Sequence, residues 1–178
     1  MRRSDSSASL LEELLDKQAI TELLHRYARG CDRADEATLR ACFAHHSVHR
    51  HGNFTGLSQD FCSHAIAVVS HAMIVRHQIT NIIIEIKGDK ASSECMYQAY
   101  HRLRDEDGGS IDYFNAGRYL DDLERLEGGW VITSRLGLID FERRTPATHP
   151  GPSDSTQSIF SQKFPHDALY RHITNTPD

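Results

Sequence analysis

The sequence lacks any apolar run long enough to cross a membrane. Its longest uncharged apolar stretches, 65–69 and 79–84, fall well short of the roughly 20 residues that a membrane-spanning helix needs. The acidic residues Glu12, Glu13 and Asp16 interrupt the N-terminal leucines, which is not the pattern of an export signal. We therefore expect a soluble, cytoplasmic protein with no membrane partner.

The sequence also has little of the basic charge that nucleic acids require. Lys and Arg number 20 against 25 Asp and Glu, the net charge is -5, and the basic residues are scattered along the chain. It contains neither a glycine-rich phosphate loop nor the Gly-x-Ser-x-Gly elbow of serine hydrolases. We expect no nucleic-acid partner, no nucleotide or flavin cofactor and no serine nucleophile.

Cysteine is sparse, and its spacing does not suggest a metal site. Four widely separated cysteines in apolar surroundings are predicted to be reduced core thiols: Cys31, Cys42, Cys62 and Cys95. Histidine is more abundant, with 12 residues, and four of them crowd into one segment: His45, His46, His49 and His51. The crowding is weak evidence for zinc because no Cys or acidic ligand accompanies it. We predict no metal site.

The first third of the chain has the period of helices. A chain of 178 residues with 39% hydrophobic content is long enough for one core and too short for two comfortable domains. Segment 9–31 is predicted to be a core-facing helix whose buried stripe consists of Ile20, Leu23, Leu24, Tyr27 and Cys31. Asp35 fits the N-cap of a second, short helix, and 61–73 reads as a third.

The period changes after His77 to that of strands, which are predicted at 79–87, 91–104, 113–126 and 130–141. Three helices followed by long strands predict an α+β fold, in which one curved antiparallel sheet wraps around the N-terminal helices and encloses a cone-like pocket. We divide the chain into a flexible N-terminus (1–8), an α+β barrel domain (9–143) and a C-terminal tail (144–178). Prolines in the tail are expected to prevent regular structure, whereas its aromatic residues predict that it docks.

An acid and a base on separate elements are the candidates for chemistry. Asp32 lies near the C-terminal end of the first helix, where the helix dipole disfavours a negative charge. His77 precedes the apolar run 79–84, and a carboxylate that orients an imidazole is the minimum equipment for proton abstraction. The alternatives are a solvated surface Asp and a structural His at a strand start.

Four further residues are weaker candidates. Tyr27 is either a core aromatic or a hydrogen-bond donor to substrate. Arg76 adjoins His77, and because adjacent strand residues point to opposite faces, the two are not expected to line one pocket unless the backbone is irregular. His101 and Tyr100 lie on opposite faces of the predicted strand 91–104, and the sequence does not say which face is inward.

Three motifs carry a resemblance to a known family. They are Leu15-x4-Ile20-x2-Leu23-x3-Tyr27-x4-Asp32, then His77-x3-Asn81, and then Gly117-Arg118-Tyr119-Leu120 ahead of Gly128-Gly129-Trp130. Their order and spacing resemble the SnoaL-like branch of the nuclear transport factor 2-like superfamily, over roughly 11–141. The closest site patterns are those of bile-acid 7-alpha-dehydratases, scytalone dehydratases and a hexachlorocyclohexane dehydrochlorinase.

The resemblance implies a cofactor-free lyase, a dehydratase or retro-aldol enzyme, acting on a hydrophobic oxygenated compound of aromatic or steroid type. His77 would be the base, Asp32 would orient it, and Tyr27 would hydrogen-bond a substrate oxygen; Tyr100 lies near a further polar pocket residue of the bile-acid enzymes. The same fold hosts isomerases, cyclases and the non-catalytic small subunit of ring-hydroxylating dioxygenases, so these readings stay open. The dehydratase branch also implies a homo-oligomer, with a trimer ahead of a dimer.

Overall fold

The structure, a computed structural model, describes residues 3–148 and 160–174. Within these residues, helices and strands follow one another in an order that begins helical and continues with long strands: α1 (Arg3–Arg33), α2 (Glu36–Arg40), β1 (Phe43–His51), β2 (Phe54–Leu57), α3 (Ser58–His71), β3 (Ile74–Lys87), β4 (Lys90–Arg104), β5 (Ser110–Leu126), β6 (Gly129–Pro146) and α4 (Ala168–Thr174). No helix in these two ranges is long and apolar enough to cross a membrane.

The strands form one curved, unclosed sheet in the order β2-β1-β6-β5-β4-β3. Neighbouring strands are antiparallel except β1 and β6, which are parallel, so the sheet is mixed and not wholly antiparallel as predicted. A parallel pair forms here because α3 and the long strands β3 to β5 intervene between β1 and β6, which allows a crossover that a tight hairpin would not. The α+β architecture with helices on one face is confirmed.

The main core lies between α1, α3 and the inner face of this sheet. The stripe predicted on α1 is its centre: Ile20, Leu23, Leu24, Tyr27 and Cys31 are each at most 3% exposed. The four cysteines are all buried and carry no disulfide. The prediction of core thiols is therefore confirmed, and burial raises the pKa of Cys31 to about 12.

A close contact between the first two helices positions the end of α1. A side chain on Gly30 would lie within 3.1 Å of the backbone of Leu39, so only glycine lets the helices approach this closely. Asp35 caps α2 as predicted, since its carboxylate accepts a hydrogen bond from the backbone N–H of Thr38. The tight corner holds Asp32, on the last turn of α1, against the sheet.

The ends of the chain differ from the prediction. Helix α1 begins at Arg3, so it includes the described part of the N-terminal segment that was predicted to be flexible. Strand β6 runs to Pro146, past the predicted domain end at 143. The tail contains a helix, α4, although its prolines were expected to prevent regular structure; Pro165 precedes the helix, where a proline does no harm. Pro150 and Pro152 lie outside the described residues.

Candidate active site

Asp32 and His77 meet where the end of α1 packs against β3. One carboxylate oxygen of Asp32, Oδ1, lies 2.9 Å from the backbone nitrogen of His77 and 2.7 Å from its Nδ1. The two side chains are only 14% and 9% exposed, respectively. His77 lies inside the strand, which begins at Ile74, and does not open it as the sequence suggested. The contact with the backbone of His77 fixes the position of α1 along β3, and the contact with Nδ1 fixes the orientation of the ring.

The contact with Asp32 selects one tautomer of His77. A carboxylate only accepts hydrogen bonds, so Nδ1 carries the proton and Nε2 carries the lone pair. The two ring nitrogens point away from each other, and Nε2 forms no hydrogen bond with any described residue. An oriented imidazole with a free basic nitrogen is the arrangement of a general base whose charged form is stabilised by a carboxylate.

His101 is the neighbour of His77 on the inner face. The two rings are perpendicular with centroids 5.5 Å apart, and Nδ1 of His101 is buried without a hydrogen-bond partner among the described residues. Burial, reinforced by the neighbouring His77, lowers the pKa of His101 to about 3. The ring is therefore neutral, and it packs beside the dyad without lining either of the cavities described below. Because His101 faces inward, the inner set on β4 is the one containing Tyr97 and His101.

A cavity of about 470 Å³ lies against the dyad. It runs along the outer edge of β3, which is the last strand of the sheet, and its walls include Asp32, His77 and Arg76. Arg76 and His77 therefore line one cavity, contrary to the expectation from strand alternation. The reason is that a cavity at a free edge is accessible from both faces of the strand, and no backbone irregularity is needed.

A second cavity, of about 500 Å³, is lined by residues of β1, β2, α3, β5 and β6. Its walls include His51, Phe61, Tyr113 and Arg144. Tyr113 lies between this cavity and the dyad, because the centroid of its ring is 6.0 Å from that of His101, the neighbour of His77. The hydroxyl of Tyr113 donates to Glu142, which also lines the cavity. The polar residues that face the interior therefore continue from the dyad towards this second opening.

Tyr27 does not join the dyad. Its ring is 2% exposed and lies in the main core, in edge contact with Phe43 and Tyr119. The guanidinium carbon of Arg135 lies 4.0 Å from the centre of the ring. Burial raises the pKa of Tyr27 well above its usual value. Tyr27 lines neither of the two cavities, which agrees with the reading as a core aromatic.

Tyr100 lies on the opposite face of β4 from His101. Its hydroxyl donates to Asp112 at 2.7 Å, and Asp112 also accepts from Arg102. It is paired in register with Arg76 on β3 and borders a small outer-face depression. The structure does not bring Tyr100 to the dyad, because strand alternation turns it outward.

The four crowded histidines of β1 separate in the same way. His45 and His46 are exposed, whereas His49 and His51 are turned inward. His49 stacks on Phe61 with centroids 3.6 Å apart, and burial lowers the pKa of His51 to about 4. No group of three or more His, Cys, Asp or Glu side chains among the described residues could hold a metal ion.

Lys163 is a cavity residue that sequence reasoning missed. Phe160, Ser161, Gln162 and Lys163 of the tail form one wall of the 470 Å³ cavity. The aromatic residues around Lys163 signalled that the tail docks, but no motif indicates where it docks. Its position depends on contacts more than 90 residues apart in sequence, such as the 2.8 Å hydrogen bond from Nζ of Lys163 to the carbonyl oxygen of Val69.

A curved, unclosed mixed sheet packed against N-terminal helices is the architecture of nuclear transport factor 2-like proteins. Comparison with family models is more specific. The model of the SnoaL-like domain matches residues 12–136, and the chain belongs to this family.

Solved structures with the same fold include enzymes. A hexachlorocyclohexane dehydrochlorinase, LinA-type3 from Novosphingobium barchaimii, is 21% identical with a TM-score of 0.69, and the match covers 80% of this chain and 99% of that one. A scytalone dehydratase-like protein from Novosphingobium aromaticivorans is 20% identical with a TM-score of 0.66, and the match covers 80% and 97% of the two chains. Comparison with curated proteins finds no significant match. At these identities the structural likenesses concern the fold.

Proposed function

We propose that this protein is a cofactor-free lyase that removes a proton from carbon and expels an oxygen leaving group. The observation that supports the proposal is the 2.7 Å hydrogen bond between Nδ1 of His77 and Oδ1 of Asp32 beside a cavity of about 470 Å³. Membership of the SnoaL-like family agrees with it, as do the dehydrochlorinase and dehydratase-like proteins among the structural relatives.

In the proposed reaction Nε2 of His77 takes the proton. The electron pair of the broken C–H bond forms a carbon–carbon double bond, and the bond to the leaving oxygen breaks. The imidazolium then returns its proton to that oxygen, which departs as water, so that the enzyme is restored. Asp32 stabilises the imidazolium through the proton on Nδ1. The resemblance assigned the hydrogen bond to a substrate oxygen to Tyr27, which lies in the core instead.

The substrate class that we propose is a ring compound with oxygen substituents, of aromatic or steroid-like type. An isomerase is the alternative from the same fold, in which His77 returns the proton to another carbon and no group leaves. Mass spectrometry separates the two, because elimination of water changes the mass of the product and isomerisation does not. Wild-type protein that converts none of a panel of β-hydroxy ring ketones would favour a non-catalytic binding role.

The His77→Ala variant tests the base. Loss of a general base typically costs 10²–10⁴ in rate, so we expect turnover to fall by about that factor while the melting temperature stays within a few degrees. The matched control is His25→Ala, which removes an exposed histidine from α1. Turnover within tenfold of wild type would eliminate His77 as the base.

The Asp32→Asn variant tests the orienting role. An amide at this position can donate to Nδ1 and so favour the wrong tautomer of His77, and we expect the rate to fall by on the order of 10² or more. A variant with the rate of the wild type would contradict the role.

A further inference from the structure

Polar contacts anchor the tail to the corner between α1 and α2. The backbone nitrogen of Phe164 donates to the carbonyl oxygen of Arg33 at 2.7 Å. Nη1 of Arg33 lies 3.3 Å from Oδ2 of Asp167, and the hydroxyl of Tyr170 donates to Asp35 at 3.0 Å. These contacts involve both backbone and side chains, so they define one docked position for residues 160–170.

Docking places the amino group of Lys163 at the wall of the dyad cavity. Nζ donates to the carbonyl oxygen of Val69, near the end of α3. Burial lowers the pKa of Lys163, with a further contribution from Arg33, while Asp32 opposes the change. Lys163 in turn contributes to the lowered pKa of His101. The ammonium group is therefore close enough to the interior to act electrostatically on both Asp32 and His101.

The charges around this cavity are not balanced. Arg33 is paired with Asp167, and Oδ1 of Asp32 already accepts two hydrogen bonds from His77. Two other cations line the same cavity, Arg76 and Lys163. Among residues 3–148 and 160–174, neither of them forms an ion pair with a carboxylate. Arg76 and Lys163 outnumber the one carboxylate of the described residues that lines the cavity, that of Asp32, so the cavity favours a ligand that carries a negative charge.

We propose that Lys163 and Arg76 form an anion subsite that binds a carboxylate of the substrate. This proposal rests on the proposed function and narrows it: the substrate is a ring compound that bears a carboxylate, not a neutral steroid-like one. A guanidinium binds a carboxylate through two parallel hydrogen bonds, and the ammonium of Lys163 adds a second charge. The carboxylate anchors the ring and takes no part in the bond changes, so the proton transferred to His77 comes from another position.

The subsite depends on the tail. Arg76 projects from the edge strand, whereas Lys163 reaches the cavity only because Arg33, Asp35 and Val69 hold the docked segment. Recognition of the anion and closure of the cavity are therefore coupled, since a bound carboxylate gives the tail a further contact. This coupling predicts that binding of the anion stabilises the docked tail.

Calorimetric titration with two isosteric probes tests the subsite without turnover. The probes are 2-naphthoate, which is an anion, and 2-naphthamide, which is neutral. We expect the wild type to bind the naphthoate at least about tenfold more tightly, because a hydrogen bond to a charged group contributes roughly that factor. Lys163→Met should remove most of this preference and leave the affinity for the amide unchanged. Lys87→Met, at an exposed position on the same strand as Arg76, is the matched control and should behave as the wild type.

Three results would overturn the proposal: equal affinities of the wild type for the two probes, no binding of naphthoate at millimolar concentration, or a Lys163→Met variant that keeps the preference. The His77→Ala variant keeps the subsite and should bind naphthoate as the wild type does. If the dyad hypothesis is wrong, His77→Ala keeps its turnover. If the subsite proposal is wrong, the preference for naphthoate over naphthamide is absent, so the two failures are measured separately.

Discussion

Asp32 occupies a position that is unfavourable for a carboxylate on an isolated helix. The C-terminal end of a helix carries a partial negative charge, which disfavours an anion by a few tenths to about 1 kcal/mol. Two hydrogen bonds from His77, one from the backbone and one from the ring, compensate for this placement. The favourable placement of this carboxylate thus depends on its partner on β3.

A second buried charge, Arg135, serves the fold. Its guanidinium forms two hydrogen bonds with Asp121, at 2.7 and 2.6 Å, and both side chains are completely buried. The rings of Tyr27 and Tyr119 lie 4.0 and 4.3 Å from its central carbon. Removing one partner of such a pair leaves an uncompensated buried charge. The involvement of Tyr27 in this cluster explains why it is a core residue.

Three buried histidines make the stability of the protein depend on pH. Burial lowers the pKa of His49, His51 and His101 to about 2, 4 and 3, respectively. In the unfolded chain a histidine takes up a proton below about pH 6.5, whereas these three stay neutral in the folded protein. The unfolded state therefore binds more protons, and the free energy of unfolding should fall as the pH decreases from about 7 to 5, by at most about 1.4 kcal/mol per pH unit for each histidine.

The His49→Phe variant isolates the contribution of His49 to the pH dependence of the free energy of unfolding. The ring of His49 stacks on Phe61 and its nitrogens have no partner among the described residues, so phenylalanine removes the titration and no hydrogen bond. Urea unfolding between about pH 7 and pH 5 should show a smaller pH slope for this variant, by up to one proton. His25→Gln, which changes an exposed histidine, should keep the slope of the wild type. Equal slopes in all three proteins would mean that His49 is protonated in the folded state.

At the scale of elements, the position of β3 at the edge of the sheet allows its backbone to contact Asp32. Within the described ranges no strand pairs with its outer edge, and the backbone N–H of His77 is satisfied by Asp32 instead. The register between β3 and β4 shifts between Thr80 and Ile83, where Asn81 has φ 51°, a conformation that asparagine tolerates better than most residues. The bulge separates the part of the strand that carries His77 from the part whose isoleucines Ile82, Ile84 and Ile86 pack against the main core.

The tail is the element whose removal we expect to alter function without disturbing the barrel. Truncation after Ala147 preserves β6 and removes Lys163, Asp167 and α4. Because the tail contacts α1 and α3 of its own chain, we expect a higher KM or a lower kcat and an unchanged oligomer mass. Steady-state kinetics and light scattering measure the two quantities. Unchanged kinetics would contradict a role in closing the cavity, and a shift to monomer would indicate a clasp between subunits.

At the scale of the whole molecule, no helix in the described part of the chain covers the outer face of the sheet. Apolar side chains are exposed on this face, with Val48 at 48%, Ile83 at 62% and Met96 at 44%. Exposed apolar surface on a sheet is usually buried by a partner. The same feature leads us to expect a homo-oligomer, with a trimer ahead of a dimer.

Light scattering with Met96→Glu tests this expectation. A charge at the centre of an apolar interface is costly to bury, so the variant should dissociate at concentrations at which the wild type is a trimer. Val68→Glu is the control, because Val68 is 47% exposed on α3 and the substitution adds the same charge away from the sheet. A wild-type protein that is a monomer in dilute solution would contradict the prediction.

Local and periodic features were predicted from the sequence because they depend on neighbouring residues. The buried stripe of α1, the Asp35 cap, the strand order in sequence and the burial of four cysteines follow from hydrophobic periodicity and short-range hydrogen bonding. Asp32 and His77 were selected by a motif in which each residue occupies a defined place on its own element. Their hydrogen bond agrees with that selection, and their catalytic role stays a prediction.

Only the tertiary structure decided which side chains share a cavity. Strand alternation determines that Tyr100 and His101 point in opposite directions, but which direction is inward depends on the helices that cover one face. The free edge of β3 brings Arg76 and His77 to one cavity, and docking of the tail adds Lys163. These placements depend on contacts between residues far apart in sequence, whose energies come from packing and charge and leave no periodic pattern in the chain. The sequence by itself therefore determined the first three helices, the four long strands and the candidate dyad, whereas the arrangement of charges around the dyad depends on the folded molecule.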